Sequence, residues 1–76
     1  MSNYIHLITP VESACGVTLD QVARVLPLVL LLDGGGAVMI PRDTPPALAG
    51  SVARCALGGS ATFSHLKNGY PVYVNP

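Results

Sequence analysis

The sequence predicts an α+β domain in which a small antiparallel sheet is backed by two helices. Runs of β-branched and aromatic residues that end at Gly or Pro predict strands. Two segments that each follow a threonine have apolar residues at helical spacing, and an Asn-Gly step is typical of a hairpin turn. The 76 residues make a single domain, 1–76, at the small end of what folds alone. The predicted order of elements is β-α-β-β-α-β-β, and its first six elements match a ferredoxin-like plait.

The first two predicted elements are a strand and a helix joined by a polar connection. Residues 3–9, NYIHLIT, mix β-branched and aromatic residues and predict a strand, and the connection is 10–16, PVESACG. Thr18 with a glutamine three positions later has the spacing of a capping box, which opens a helix. We expect this helix to end near Leu26, because Pro27 inside a helix would cost about 3 kcal/mol or more.

The middle of the chain, LPLVLLLDGGGAVMIP over 26–41, allows more than one structure. Residues 28–32 and 37–40 predict two short strands around DGGG, because Asp-Gly and Gly-Gly steps supply the positive φ angles that tight hairpins need. A kinked helix through Leu32, with Gly34 as its C-cap, stays open as the alternative, since periodicity alone does not assign short apolar runs.

The C-terminal half predicts a helix and a hairpin. Thr44 is expected to cap a helix over 46–57, with two prolines in its first turn, where missing N–H groups do no harm. Asn68-Gly69 predicts the turn of a hairpin over 61–75. Because Pro71 has no N–H to donate to a ladder, the last strand is expected at an edge of the sheet.

Composition and charge exclude several classes of protein. Only 11% of the residues are charged, against roughly 25% in ordinary soluble domains, so polar groups cover little of the surface. Four acidic and four basic residues cancel, which leaves no basic patch for a nucleic acid. The apolar run over 25–32 contains a proline and is far shorter than the about 20 residues of a membrane span.

The N-terminus and the cysteines favour a cytoplasmic location. No basic stretch precedes an apolar run at the N-terminus, so a secretory signal is not expected. Cys15 and Cys55 are therefore interpreted as reduced thiols, with Cys55 in the core. A disulfide between them stays open if the protein is exported.

The motifs of common enzymes and cofactor sites are missing, so we expect no enzyme, no cofactor and no metal. The glycines at 34–36 are followed by neither the lysine of a phosphate loop nor a helix that would bind a dinucleotide. His6 and His65 lie on neighbouring strands of the plait but lack further ligands. Ser64 and His65 are strand neighbours, whose side chains should point to opposite faces, and Cys15 is interpreted as an ordinary free thiol.

Surface burial is the remaining guide to function. The predicted strands over 28–40 are apolar on both faces, yet two short helices cover only one face of a sheet. The other face needs a cover, which we expect to be a second copy or another protein. A cover from within the chain, by the 10–17 loop, the C-terminal tail or the kinked-helix arrangement, stays open as the alternative. The residues expected to bind this partner are Leu28, Leu30, Leu32, Met39, Tyr4, Tyr70, Tyr73 and Arg54.

We therefore expect a non-enzymatic protein–protein interaction module that is a homodimer or a subunit bound to a larger protein. Short α+β chains without motifs are common among accessory proteins of phages and plasmids, including inhibitors that block a host defence complex by occupying its surface. The alternative is a winged-helix-like or plait-type regulator that binds DNA or a small effector. In that case the helix over 46–57 and the hairpin over 61–75 would be the recognition helix and the wing.

Overall fold

The computed structural model describes residues 8–75, which form a four-stranded antiparallel sheet and three α-helices. The prediction of a small α+β domain is confirmed. Neighbouring strands follow the order β1-β2-β4-β3. The elements are α1 (Pro10–Ala14), α2 (Leu19–Val25), β1 (Leu30–Leu32), β2 (Ala37–Met39), α3 (Pro46–Leu57), β3 (Thr62–Lys67) and β4 (Tyr70–Val74).

Helix α2 begins at the predicted capping box. The Thr18 hydroxyl accepts the Gln21 N–H at 3.3 Å, and the Gln21 side chain accepts the Thr18 N–H at 2.9 Å. The α-helix ends at Val25, and a 3-10 turn over Leu26–Leu28 holds the proline in its first positions, where no N–H is required. The kinked helix through Leu32 is therefore wrong, and the strand begins at Leu30, two residues later than predicted.

Helix α1 was not predicted, because residues 10–16 were assigned to a connection. The Thr9 hydroxyl accepts the Glu12 N–H at 3.2 Å, and the Thr9 N–H donates to Glu12 Oε1 at 3.0 Å. With a proline at the first helical position, Thr-Pro-Val-Glu is a capping box that could have been recognised. Thr9 is thus a cap and not part of the predicted strand 3–9, and residues 3–7 of that strand lie outside the described residues.

Both hairpins are confirmed. Strands β1 and β2 pair antiparallel with Leu31 opposite Val38, and a tight 3-10 turn over Asp33–Gly35 joins them. Strands β3 and β4 meet at Asn68 and Gly69, whose φ angles of 54° and 85° are those of a primed two-residue turn. The Asn-Gly step therefore fixes the register of the C-terminal hairpin.

Strand β4 lies inside the sheet, so the expected edge position of the last strand is wrong. The Pro71 carbonyl accepts the Ile40 N–H at 2.8 Å, just beyond the last paired residue of β2. The nitrogen of a strand residue points to the same side as its carbonyl. Pro71 is therefore tolerated because its missing N–H falls where β2 ends.

The ferredoxin-like order is not confirmed. In a plait, the strand at β2 would lie between β1 and the N-terminal strand. Here one neighbour of β2 is β1 and the other is β4, with Val38 of β2 opposite Tyr73 of β4, so β4 lies where a plait would have the N-terminal strand. The described part of the chain is therefore two hairpins, joined along β2 and β4, with α3 between them in sequence.

Helix α3 spans the predicted residues 46–57 but lacks the predicted cap. Its N-cap is Pro45, and the Thr44 side chain makes no capping bond. Six consecutive residues, Leu48 to Ala53, are buried, so the helix is surrounded on several sides by α1, α2 and the sheet. It ends at Gly58, whose φ of 108° and ψ of 173° lie in a region almost restricted to glycine.

The core between the helices and one face of the sheet is small. Val38 and Ile40 project into it from the end of β2, and Tyr73 packs at its margin. Its buried members are Val17, Val22, Val38, Ile40, Leu48, Ala49, Val52 and Ala53. Because most of these side chains are valine or alanine, the helices lie close to the sheet.

Replacement of Gly58 by alanine should destabilise the fold. Its backbone conformation disfavours any Cβ atom, at a cost of about 1–3 kcal/mol in the free energy of unfolding. Gly59→Ala is the matched control, because Gly59 has no positive φ and a Cβ there meets no atom within 4 Å. Urea denaturation of the two variants measures the difference, and equal stability would contradict the assigned helix end.

Candidate protein-interaction surface

Large apolar side chains of this protein lie outside its core. Leu28, Leu30 and Leu31 are 67%, 54% and 62% exposed, although they belong to the most apolar segment of the chain. Leu66 on β3 is equally exposed at 62%. The prediction that the apolar middle segment exceeds what the helices cover thus agrees with the position of these leucines.

Four of the predicted partner-binding residues lie together in one shallow groove. Leu28 comes from the 3-10 turn, Leu30 from β1, Met39 from β2 and Tyr70 from β4, and Pro41 completes the lining. Leu30 and Met39 are directly opposite each other in the ladder, which places both on the face away from the helices. We call these five residues the leucine groove; its volume is about 380 Å3.

Exposure on this face is concentrated at the β1 end. Ala37 and Val72 share the face with Met39, yet each is only 3% exposed. Leu32 lies on the same face as Leu30 and is half-buried. The exposed apolar surface on this face is therefore limited to the leucine groove, at the β1 end, and does not extend over the whole face.

Charged groups border one end of the leucine groove. The Arg42 guanidinium lies over the Tyr70 ring at 5.9 Å from its centre, and Lys67 is opposite Tyr70 in the β3–β4 ladder. An adjoining depression of about 460 Å3 shares Leu28, Pro41 and Tyr70 with the groove and adds Arg42 and Asp43. An apolar floor with an aromatic residue and an arginine at its rim is the usual composition of a protein interface.

Two of the predicted partner-binding residues lie on the helix side of the sheet instead. Tyr73 contacts Phe63 edge to face, with ring centres 5.6 Å apart, and burial raises the pKa of its hydroxyl despite the nearby Arg54 charge. Arg54 forms an ion pair with Glu12. Their side chains thus make internal contacts on the far face from the leucine groove. Tyr4 lies outside the described residues.

Three polar side chains form an internal cluster that was not predicted from the sequence: Glu12, Ser51 and Arg54. The Ser51 hydroxyl donates to Glu12 Oε1 at 2.8 Å, and Arg54 Nη2 also donates to that oxygen. We call these residues the carboxylate cluster; it ties α1 to α3. No local pattern predicts it, because Glu12 and Arg54 are 42 positions apart.

The carboxylate cluster holds Glu12 in its ionised form. Burial by itself would raise the pKa of Glu12, but the hydrogen bonds from Arg54, the Thr9 N–H and Ser51 outweigh burial and lower it. Gly50 makes the close approach possible, since a Cβ there would lie 3.2 Å from Glu12 Oε2. A glycine inside a helix is thus explained by packing.

Ser64 and His65 are closer together than predicted. Ser64 Oγ lies 2.8 Å from His65 Nδ1, whereas strand neighbours should point to opposite faces. The register of β3 against β4 shifts between Phe63 and His65, and this bulge turns the two side chains toward each other. Both residues are exposed on an edge strand of the described sheet.

The histidines and cysteines form no metal-binding group in the described part of the chain. Within residues 8–75, no group of three or more His, Cys, Asp or Glu residues is arranged to hold a metal ion, and His6 lies outside this range. Cys15 is exposed and Cys55 is half-buried, and both carry free thiols. Among the described helices, none has the length and apolar character to cross a bilayer.

Acid should weaken the carboxylate cluster. The pKa of Glu12 is lower in the folded protein than its ordinary 4.5, so the stability it contributes is complete above pH 4.5 and is lost as pH falls through the folded-state pKa. We expect Glu12→Gln to cost roughly 1–3 kcal/mol at neutral pH and little at low pH. Chemical denaturation at several pH values measures both differences, and a pH-independent gap would contradict the ionised state of Glu12.

The effect of Gly50→Ala should depend on Glu12. Alanine is favoured over glycine in a helix interior by up to about 1 kcal/mol, but here its Cβ would press on a carboxylate held by three hydrogen bonds. We expect destabilisation in the native background and stabilisation in a Glu12→Ala background. A double-mutant cycle of unfolding free energies tests this change of sign. Stabilisation in both backgrounds would show that α1 does not require the glycine.

Comparison with models of protein families, with curated proteins and with solved structures finds no match to this chain. Its function must therefore be inferred from its own residues. Among the described residues, the leucine groove and the neighbouring leucines of β1 form an exposed apolar surface of the kind found at binding sites.

Proposed function

We propose that the protein is a non-enzymatic interaction module that binds another protein chain through the leucine groove and the adjoining strand β1. The single observation that carries this proposal is the outward position of Leu28, Leu30 and Leu31. Contiguous exposed apolar surface rimmed by polar residues is typical of protein-binding sites.

The free-energy scale supports a binding role. Burial of one leucine side chain contributes about 1.5–3 kcal/mol, so covering the exposed parts of these three leucines is worth several kcal/mol. The whole stability of a domain is about 5–15 kcal/mol. Surface apolar area of this size, in a chain with only 11% charged residues, is best accounted for by a partner that covers it.

We further propose that the module is a small accessory or inhibitory protein of the phage or plasmid type, which acts in the cytoplasm by occupying a surface of a larger host complex such as a defence complex. Support comes from the free thiols and from an apolar surface around which residues 8–75 form no catalytic arrangement. Inhibition of this kind requires no chemistry, only an apolar surface that competes for its target.

A DNA-binding regulator is the less favoured alternative. A recognition helix must expose one face to the major groove, whereas α3 buries six consecutive residues. Its one basic residue, Arg54, is engaged with Glu12. The order of helix and hairpin is that of a winged helix, but the helix is placed as a core element.

Substitution in the leucine groove should abolish partner binding without unfolding the chain. We expect Leu28→Asn to reduce the retention of a specific host protein at least about tenfold, because a central apolar contact typically contributes more than 1 kcal/mol to binding. The measurement is quantitative mass spectrometry of proteins retained from host extract by the immobilised chain, followed by titration with the purified partner.

Leu66→Asn is the matched control for this experiment. Leu66 is 62% exposed against 67% for Leu28, but it lies on β3, at the opposite edge of the described sheet. Circular dichroism confirms that both variants stay folded. Equal retention by the Leu28 variant, or loss of the same protein with the Leu66 variant, would contradict the proposed binding surface.

A further inference from the structure

We propose that the side of strand β1 that pairs with no strand of residues 8–75, the leucine edge (Leu30–Leu32), pairs with the leucine edge of a second copy of this chain. The two strands run antiparallel about a two-fold axis at Leu31 and join two four-stranded sheets into one. This inference rests on the proposed function, since it names one partner of that surface, a second copy, and its register.

The two edges of the described sheet differ in the features that prevent edge-to-edge pairing. Strand β3 carries a bulge between Phe63 and His65, and it ends at Lys67; bulges and lysines are devices that block edge pairing. The leucine edge has neither device: it consists of three leucines, with no charge and no irregularity in its ladder with β2. Among the described strands, only the leucine edge therefore lacks a device that blocks pairing with another strand.

The leucine edge is complementary to itself in the antiparallel direction. With the axis at Leu31, the Leu31 side chains of the two copies lie opposite each other on the helix side of the sheet. Leu30 of each copy lies opposite Leu32 of its partner on the opposite side of the sheet. Asp33 is the only charged residue between 25 and 40, and this register places it opposite Val29. Parallel pairing in register would bring two Asp33 carboxylates together, so charge favours the two-fold arrangement.

Both faces of the joined sheet would bury apolar groups. On the helix side, Leu31 borders a shallow depression of about 270 Å3 that is also lined by Leu26, Val29 and Ala56. Two such depressions meet at the axis and close over the paired Leu31 side chains. On the opposite side, Leu30 of each copy extends the leucine groove toward the other copy.

The size of the contact predicts a concentration-dependent dimer. A stable interface buries about 800 Å2 per partner, which is roughly a sixth of the 4798 Å2 surface of this chain. A three-residue edge and the flanking depressions contact only the β1 side of the sheet. We therefore expect a dissociation constant in the micromolar range, about 1 to 100 μM.

Charges placed at the axis test the register. Leu31→Lys and Leu31→Glu each set two like charges directly opposite, so each variant alone should dimerise at least about 100-fold more weakly than the native chain. An equimolar mixture sets lysine opposite glutamate and should restore association as a one-to-one heterodimer. Leu66→Lys, at the same 62% exposure on β3, should dimerise like the native chain.

Sedimentation equilibrium of the purified full chains measures these constants, and circular dichroism confirms that each variant is folded. A native chain that stays monomeric up to about 1 mM, the weak end of measurable affinity, would overturn the dimer. So would a Leu31→Lys chain that associates like the native one, or a lysine–glutamate mixture that stays monomeric. Restoration by the mixture also excludes a trivial folding defect.

The dimer and the proposed function fail separately. If the native chain stays monomeric while a host protein is still lost with Leu28→Asn, the two-fold pairing is wrong and the interaction module stands. If the charge pair restores a dimer while no host protein depends on Leu28, self-association is the only binding that the surface supports. The Leu31 variants and the Leu28 variant therefore report on different claims.

Discussion

The structure depends on the close packing of α3 against the sheet and against α1. Small residues line that helix on several sides, and Gly50 lets the Glu12 carboxylate approach to a distance at which a Cβ would be in tight contact. The carboxylate cluster then fixes α1 with hydrogen bonds from Ser51 and Arg54. Because the core is built from short side chains, it is thin, and Leu31 on the helix side of β1 remains exposed.

The position of the leucines follows from this thin core. Val38 and Ile40 belong to the core beneath α3, whereas Leu31, on the same face of the sheet, is 62% exposed at its edge. Leu30 and Leu31 point to opposite faces of an edge strand, and both are more than half exposed. A chain with eight charged residues has few polar groups to place there instead, which is why we propose another protein surface as the cover.

Local signals in the sequence predicted the local structure. The Thr18 capping box, the Asn68-Gly69 turn and the glycines after Asp33 each act over a few residues, and a helix start and two hairpin turns formed at these positions. The Thr44 cap did not form, and β1 begins two residues later than predicted. Helix α1 was equally predictable from Thr9 and Glu12, but a five-residue helix carries too little periodicity to be noticed. The length of a pattern thus limited its recognition.

Long-range features were not predictable from one sequence. The place of β4 beside β2 depends on where β2 ends relative to Pro71, and no spacing rule encodes that. The carboxylate cluster joins residues from distant elements, and the bulge that brings Ser64 to His65 exists only in the β3–β4 ladder. The leucine groove lies between these cases: Leu28, Leu30, Met39 and Tyr70 were named from the sequence, whereas their grouping with Pro41 into one groove required the fold.

The central claim is that these leucines face water in the single protomer, and it can be measured directly. Methyl NMR in the presence of a soluble paramagnetic agent, at a concentration where the chain is monomeric, reports the solvent contact of each leucine. The structure predicts strong relaxation for the methyl groups of Leu28, Leu30 and Leu31, comparable to Leu66, and weak relaxation for the buried Leu48. Relaxation of Leu28, Leu30 and Leu31 as weak as that of Leu48 would contradict the account.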